Sequence, residues 1–276
     1  MISRTRGVDG GNLTVRVEFA PAASHQLESD GFAHLPAVLN EQEIAELHAA
    51  MTDLFASVDP DGPFRYAALN HSAVAQRAVA HPKILEVIEP LLGEDCHVIA
   101  NTAWRNPPVT DHEQTAAGVG WHIDAGPHLP RDPDVPWDPR IPYPIFAIGC
   151  HLLLEDCPPD CGPTGFVPGS HRSGQVPPTP DADGMLRYEG RDPIVPIGKA
   201  GDAVLFVSDV WHRRMPVGAA DTGRFFLQVH YGRRDIAQRL VPTADANQLS
   251  SAAVARAHTD RERTIVGLHR PSFYDG

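Results

Sequence analysis

The chain changes rhythm near residue 96: before it apolar positions recur at helical spacing, and after it they fall in short runs broken by Gly and Pro. Asn40-Glu41-Gln42-Glu43 reads as an N-cap with Glu at the third helical position, and Ile44, Leu47, Met51, Leu54 and Phe55 then share one face. That helix should stop before Asp59-Pro60-Asp61-Gly62-Pro63. A second helical pattern covers residues 72–79, and a third covers 82–92 and is closed by Gly93. Downstream, strands are predicted at 97–104, 120–124, 145–154, 165–167, 194–197, 203–207 and 224–231. Short strands of this number fit a mainly β protein with flanking helices and a double-stranded β-helix core, the cupin-like jelly roll. No linker or repeat interrupts the chain. Residues 1–276 are therefore expected to be one domain: a loose arm at 1–23, a helical flank at 24–95, the jelly-roll core at 96–235 and a tail at 236–276. The tail carries a short helical pattern near 247–258 and a solvated charge cluster, Asp260-Arg261-Glu262-Arg263.

Composition narrows the class. With 276 residues, 42% of them hydrophobic, the chain can bury a full core. Its 27 prolines are roughly twice average usage and argue against a long helical bundle. A net charge of −12 argues against a nucleic-acid partner, which would call for a basic stripe. No apolar run reaches the roughly 18 residues of a membrane span and no leader pattern opens the chain, so a cytoplasmic protein without a membrane partner is expected. The four cysteines are too few to staple a chain of this length. Cys157 and Cys161 flank a Pro-Pro-Asp loop and would suit a disulfide or half a zinc site, but unpaired thiols are the better expectation, with Cys96 and Cys150 buried. Oligomeric state is not legible.

The candidate chemistry starts at Trp121-His122-Ile123-Asp124. In an extended segment side chains alternate, so His122 and Asp124 point one way and Ile123 the other. A His from a distant strand would complete two imidazoles and a carboxylate on one face of a metal, an arrangement that suits non-haem Fe(II). Trp211-His212 follows the buried run 203–207 and supplies that His. Arg224 then opens a strand and shares a face with Phe226, Gln228 and His230, at a distance from His212 that suits capture of a carboxylate.

With two further motifs the chain, from about Leu27 to Arg234, resembles the phytanoyl-CoA dioxygenase family of Fe(II)- and 2-oxoglutarate-dependent oxygenases. One motif is Asp30-Gly31-Phe32-Ala33-His34-Leu35-Pro36 ahead of a helix. The other is Gly162-Pro163-Thr164-Gly165-Phe166-Val167-Pro168-Gly169-Ser170-His171. The resemblance implies that His122, Asp124 and His212 are the iron ligands, that Arg224 pairs with the distal carboxylate of 2-oxoglutarate, and that the cofactor set is Fe(II), 2-oxoglutarate and O2. An Arg fork suits a carboxylate. It also implies that His151 stands where some relatives place a Trp against 2-oxoglutarate, and that His171 belongs to a turn that buttresses the barrel. Ile123 departs from the family, in which the residue between the ligands is often polar.

The implied reaction is oxidation of a small metabolite, hydroxylation by default, with release of succinate and CO2; desaturation, cyclisation and epimerisation start alike. Natural-product biosynthesis is a suitable setting, since no basic patch for a CoA phosphate stands out. Two competing readings are a cupin-like metal enzyme that does not use 2-oxoglutarate and a non-catalytic small-molecule-binding barrel. The Pro-rich segment 126–144 leaves the core directly after Asp124. It is expected to form a lid, with Trp137 over substrate and Arg131 or Arg140 on an acidic group of it.

Overall fold

The computed structural model describes residues 21–57, 62–109, 120–124, 126–135, 137–138, 140–180, 184–236 and 249–268. Most of the expected N-terminal arm, the start of the helical pattern near 247–258, and Pro136 and Pro139 of the expected lid lie outside them.

The helical half follows its capping signals. Helix α1 (Ala22–Asp30) stops at Gly31, whose φ of 85° lets its N–H return to Leu27 O. Helix α2 (Glu41–Ser57) opens on the expected capping box. Asn40 Oδ1 accepts from Glu43 N at 3.0 Å and Glu43 Oε2 accepts from Asn40 N at 2.8 Å. Leu47, Met51 and Leu54 form its buried stripe. Short helix α3 (Ala68–His71) precedes α4 (Ala73–Val79), which is capped by the Ser72 hydroxyl. Helix α5 (Pro82–Leu92) begins on proline and ends at Gly93. Two short helices, α6 (Ser251–Ala255) and α7 (Asp260–Ile265), follow the barrel; α7 starts on a capping box from Thr259 and Glu262, so the expected solvated charge cluster is a helix.

Six strands form the major sheet: β1 (Phe32–Leu35), β2 (Phe64–Tyr66), β3 (His97–Asn106), β4 (Ala147–Leu153), β6 (Ala203–Val207) and β8 (Arg224–Gly232). Their order is β1-β6-β4-β8-β3-β2, antiparallel throughout. Strands β5 (Thr164–Phe166) and β7 (His212–Arg214) form the second, smaller sheet. The architecture is the expected jelly roll with flanking helices. Two expected strands shrink: 120–124 contributes only the bridge His122↔His212, and 194–197 only Phe166↔Ile194. Prolines 193 and 196 explain the second, because each removes a ladder donor. Strands β1, β2 and β7 were not expected.

Register sorts the major sheet into two faces. Leu205, Cys150, Val229 and Tyr231 turn toward the helices and join the main apolar core, where the Tyr231 hydroxyl donates to Val79 O of α4 at 2.8 Å. The opposite, concave face carries Phe206 beside Gly149, His151 beside Gln228, and Arg224 beside Asn106. Phe206 fills the space that a side chain at 149 would need, since a Cβ there would stand 2.4 Å from its ring. Gly149→Ala should therefore lower the unfolding free energy by about 1–3 kcal/mol through overpacking, as read from equilibrium denaturant unfolding. An unchanged midpoint would show that the ring has room to move.

Candidate active site

His122 and His212 are joined by their backbones. His122 N donates to His212 O at 2.9 Å and His212 N to His122 O at 3.0 Å, while Asp124 N reaches Ser208 O at 3.2 Å. This pairing brings both imidazoles and the Asp124 carboxylate together, so that one ligand atom from each lies within 4.8 Å of the others. The ring orientations are also fixed. A carbonyl only accepts, so His122 donates Nδ1–H to Gly120 O at 2.8 Å and His212 donates Nδ1–H to Val210 O at 2.9 Å. Both Nε2 lone pairs are thereby left for a metal, and Asp124 Oδ1 is 3.4 Å from His212 Nε2.

The second oxygen of Asp124 has its own partner. His230 on β8 donates Nε2–H to Asp124 Oδ2 at 2.6 Å. Burial opposes ionisation of Asp124, yet His212 and His230 more than offset it and hold the carboxyl well below the usual range. The sequence places His230 on the inward face of its strand, but nothing in the alternation singles out Asp124 as its partner. Ile123 turns away, against the cluster of Val167, Leu186 and Trp211.

Behind this group, Phe206 lies 5.0 Å from the His212 ring and 5.0 Å from the His151 ring. His151 is also 4.6 Å from Phe226. Burial, with the Arg224 charge adding to it, keeps the His151 imidazole neutral. A narrow cavity joins His151, Val204, Thr164, Phe226 and Arg224. Arg224 is the cation at its end. Burial lowers its pKa to about 10, its NH2 donates to Asn106 Oδ1 at 3.1 Å, and its Nε is buried without a partner. Among the described residues no carboxylate is within ion-pairing distance of it.

The lid residues lie elsewhere. Arg131 donates to Arg172 O at 2.7 Å and Val135 O at 2.5 Å and covers the Trp137 ring at 5.1 Å. Trp137 donates to Ile141 O at 2.6 Å, and the exposed Arg140 pairs with Asp138 at 2.5 Å. Arg131 and Trp137 line a cavity of about 660 Å³ with Arg172, Tyr188 and Trp211; its lining includes neither the His-Asp-His group nor Arg224. The structure thus does not bring Arg131, Trp137 or Arg140 to the ligand group. Near the start of this segment His128 Nδ1 is 2.5 Å from Asp209 Oδ1. All four cysteines are free and buried.

A sequence profile of the phytanoyl-CoA dioxygenase (PhyH) family matches residues 27–216. The chain belongs to the phytanoyl-CoA dioxygenase family. This family uses Fe(II), 2-oxoglutarate and O2, and the chain is accordingly a 2-oxoglutarate-dependent non-haem iron enzyme. No curated protein matches it. Solved structures share the fold at low identity. The epimerase SnoN, in complex with Fe3+, alpha ketoglutarate and nogalamycin RO, is 22% identical at a TM-score of 0.61, over 83% of this chain and 89% of SnoN. The carbocyclase SnoK, from nogalamycin biosynthesis, is 20% identical at 0.62, over 84% and 91%. The non-haem monooxygenase ThoJ, as a Ni complex, is 22% identical at 0.54, over 78% and 79%.

His171 of the Pro-Gly-Ser-His segment lies apart from this group. It is fully buried, donates Nε2–H to Glu28 O at 3.1 Å, and burial pushes its pKa down from 6.5 to about 4. The folded state therefore binds fewer protons here than the unfolded chain. The stability cost from this residue begins as pH falls below about 6.5 and is complete below about 4, where it reaches about 3 kcal/mol. His171→Gln should remove that dependence. In urea unfolding at pH 7, 5.5 and 4, the variant should gain on the native chain as pH falls, and a pH-independent gap would refute the assignment.

Proposed function

We propose that this chain is a dioxygenase that hydroxylates, or otherwise oxidises, a small metabolite in the cytoplasm, with release of succinate and CO2. The observation that carries the reading is the donor set: two imidazole Nε2 atoms and one carboxylate oxygen within 4.8 Å, with both Nδ1 atoms already engaged. That set fits a divalent iron and leaves other coordination positions open. His122, Asp124 and His212 would hold the metal. Bound Fe(II), together with 2-oxoglutarate and O2, would supply the oxidising chemistry.

The protein's own contribution is orientation and dryness. His230 holds the second Asp124 oxygen, so the carboxylate offers the first to the metal. Arg224 would take the distal carboxylate of 2-oxoglutarate, with the neutral His151 ring against its carbon chain and Phe206 and Phe226 excluding water. Arg131 and Trp137 would contact a substrate that reaches their cavity of about 660 Å³, while the concave face near Thr102, Trp104 and Gln228 would select the part closer to Arg224. The fold-sharing epimerase, carbocyclase and monooxygenase support a small-molecule substrate and several outcomes of one initial abstraction.

Anaerobic addition of Fe(II) and 2-oxoglutarate should produce a weak visible charge-transfer band, and aerobic turnover should produce succinate. His122→Ala, Asp124→Ala and His212→Ala should each abolish both. Full succinate formation by His212→Ala would overturn the ligand assignment. His230→Ala should keep the fold but weaken metal binding about 10–100-fold, as measured by metal titration.

Arg224→Ala should cost about 3 kcal/mol, roughly a hundredfold in 2-oxoglutarate affinity, with partial recovery in Arg224→Lys. An unchanged 2-oxoglutarate titration in folded Arg224→Ala would favour a cupin-like metal enzyme that does not use 2-oxoglutarate.

A further inference from the structure

We infer that Arg214 is a second cation for the distal carboxylate of the oxo acid, so that this pocket closes on two guanidiniums. The inference rests on the reading that the Arg224 cavity takes 2-oxoglutarate. On β7, His212 points to the ligand group, and alternation puts Arg214, two residues on, on the same inward side. Its ladder partner is Thr164, which lines the Arg224 cavity. Arg214 NH2 donates to Cys161 O at 3.1 Å, and its Nε, like that of Arg224, is buried without a hydrogen-bond partner.

The local charge is unbalanced. Arg214 and Arg224 repel each other, and among the described residues Asp221 is the acid that acts on both; Cys157 and Cys161 beside them are thiols, and burial keeps Cys157 neutral. Asp221 is committed to backbone: its Oδ1 accepts from Gly223 N at 2.8 Å and its Oδ2 from Val109 N at 2.9 Å. Among the described residues it makes no ion pair with either arginine. Among the described residues, two cations and one anion leave one net positive charge around the buried Arg224, which one ligand carboxylate neutralises. A buried charge of this kind is costly until it is paired, so the pocket favours an oxo acid with a carboxylate at its far end over one with a methyl there. Arg224 alone would already prefer a dicarboxylate; Arg214 would sharpen that preference.

The test is anaerobic calorimetry on the Fe(II)-loaded protein, with 2-oxoglutarate and with 2-oxopentanoate, which has the same chain length but no distal carboxylate. Arg214→Gln should weaken 2-oxoglutarate on the order of tenfold, the value of a charge-assisted hydrogen bond, and leave 2-oxopentanoate unchanged. Arg214→Lys should recover part of the loss and serves if the Gln variant does not fold. Equal weakening of both ligands would mean a structural role and overturn the inference. Unchanged 2-oxoglutarate binding in Arg214→Gln, with loss in Arg224→Gln, would overturn it too and leave the cosubstrate reading standing. Indifference of both variants would overturn the cosubstrate reading itself.

Discussion

The candidate metal centre depends on one antiparallel bridge. His122 belongs to no regular strand; its place is set by two backbone hydrogen bonds to His212, and Asp124 is added by a third to Ser208. Two such bonds in isolation contribute only about 1 kcal/mol each, so the bridge survives because its surroundings are rigid. His212 is fixed by β7, by its own ring bond to Val210 O, and by the aromatic contacts of Phe166 and Phe206. One candidate ligand is thus built into the barrel and the other two are laid against it.

The interior behind that bridge is graded in charge. At one end stands the Asp124 carboxylate with its histidines, at the other the Arg224 guanidinium, and between them a neutral imidazole and phenyl rings. With a metal cation held by the His-Asp-His group, a ligand with an acidic tail and a chelating head would match that gradient in one orientation. The rings also keep the low dielectric in which such charges act strongly. Gly149 is the small residue that leaves room for the Phe206 ring in this layer.

Much of this was legible in the residues. The Asn40 and Glu43 capping box, the buried run 203–207 and the alternation from Arg224 to His230 are local signals, and local signals survive into the fold. The convergence of His122 and Asp124 was legible because two side chains on one face need only a period of two. Strands β1, β2 and β7 were not, since three or four residues are too few to show a period. The run 194–197 misled because two of its apolar residues are exposed, Ile194 at 46% and Ile197 at 45%, and Pro196 within it and Pro193 before it cannot donate to a ladder. The His230–Asp124 bond and the neighbouring arginines arise from elements joined only in three dimensions, and no spacing encodes them.

The N-terminal segment closes the sheet in a way that reaches beyond catalysis. Among the described residues β1 is the outermost strand and pairs only with β6, and it is held there by the turn that contains His171 and by Arg191: Gly169 N donates to Asp30 O at 2.9 Å, and Arg191 pairs with Asp30 at 2.8 Å. Gly31 sits so close to His171 that a Cβ would stand 2.5 Å from the ring. If this clasp opened, β6 would present an apolar five-residue row of unpaired N–H and C=O groups to solvent. The clasp is therefore also a guard against intermolecular strand pairing.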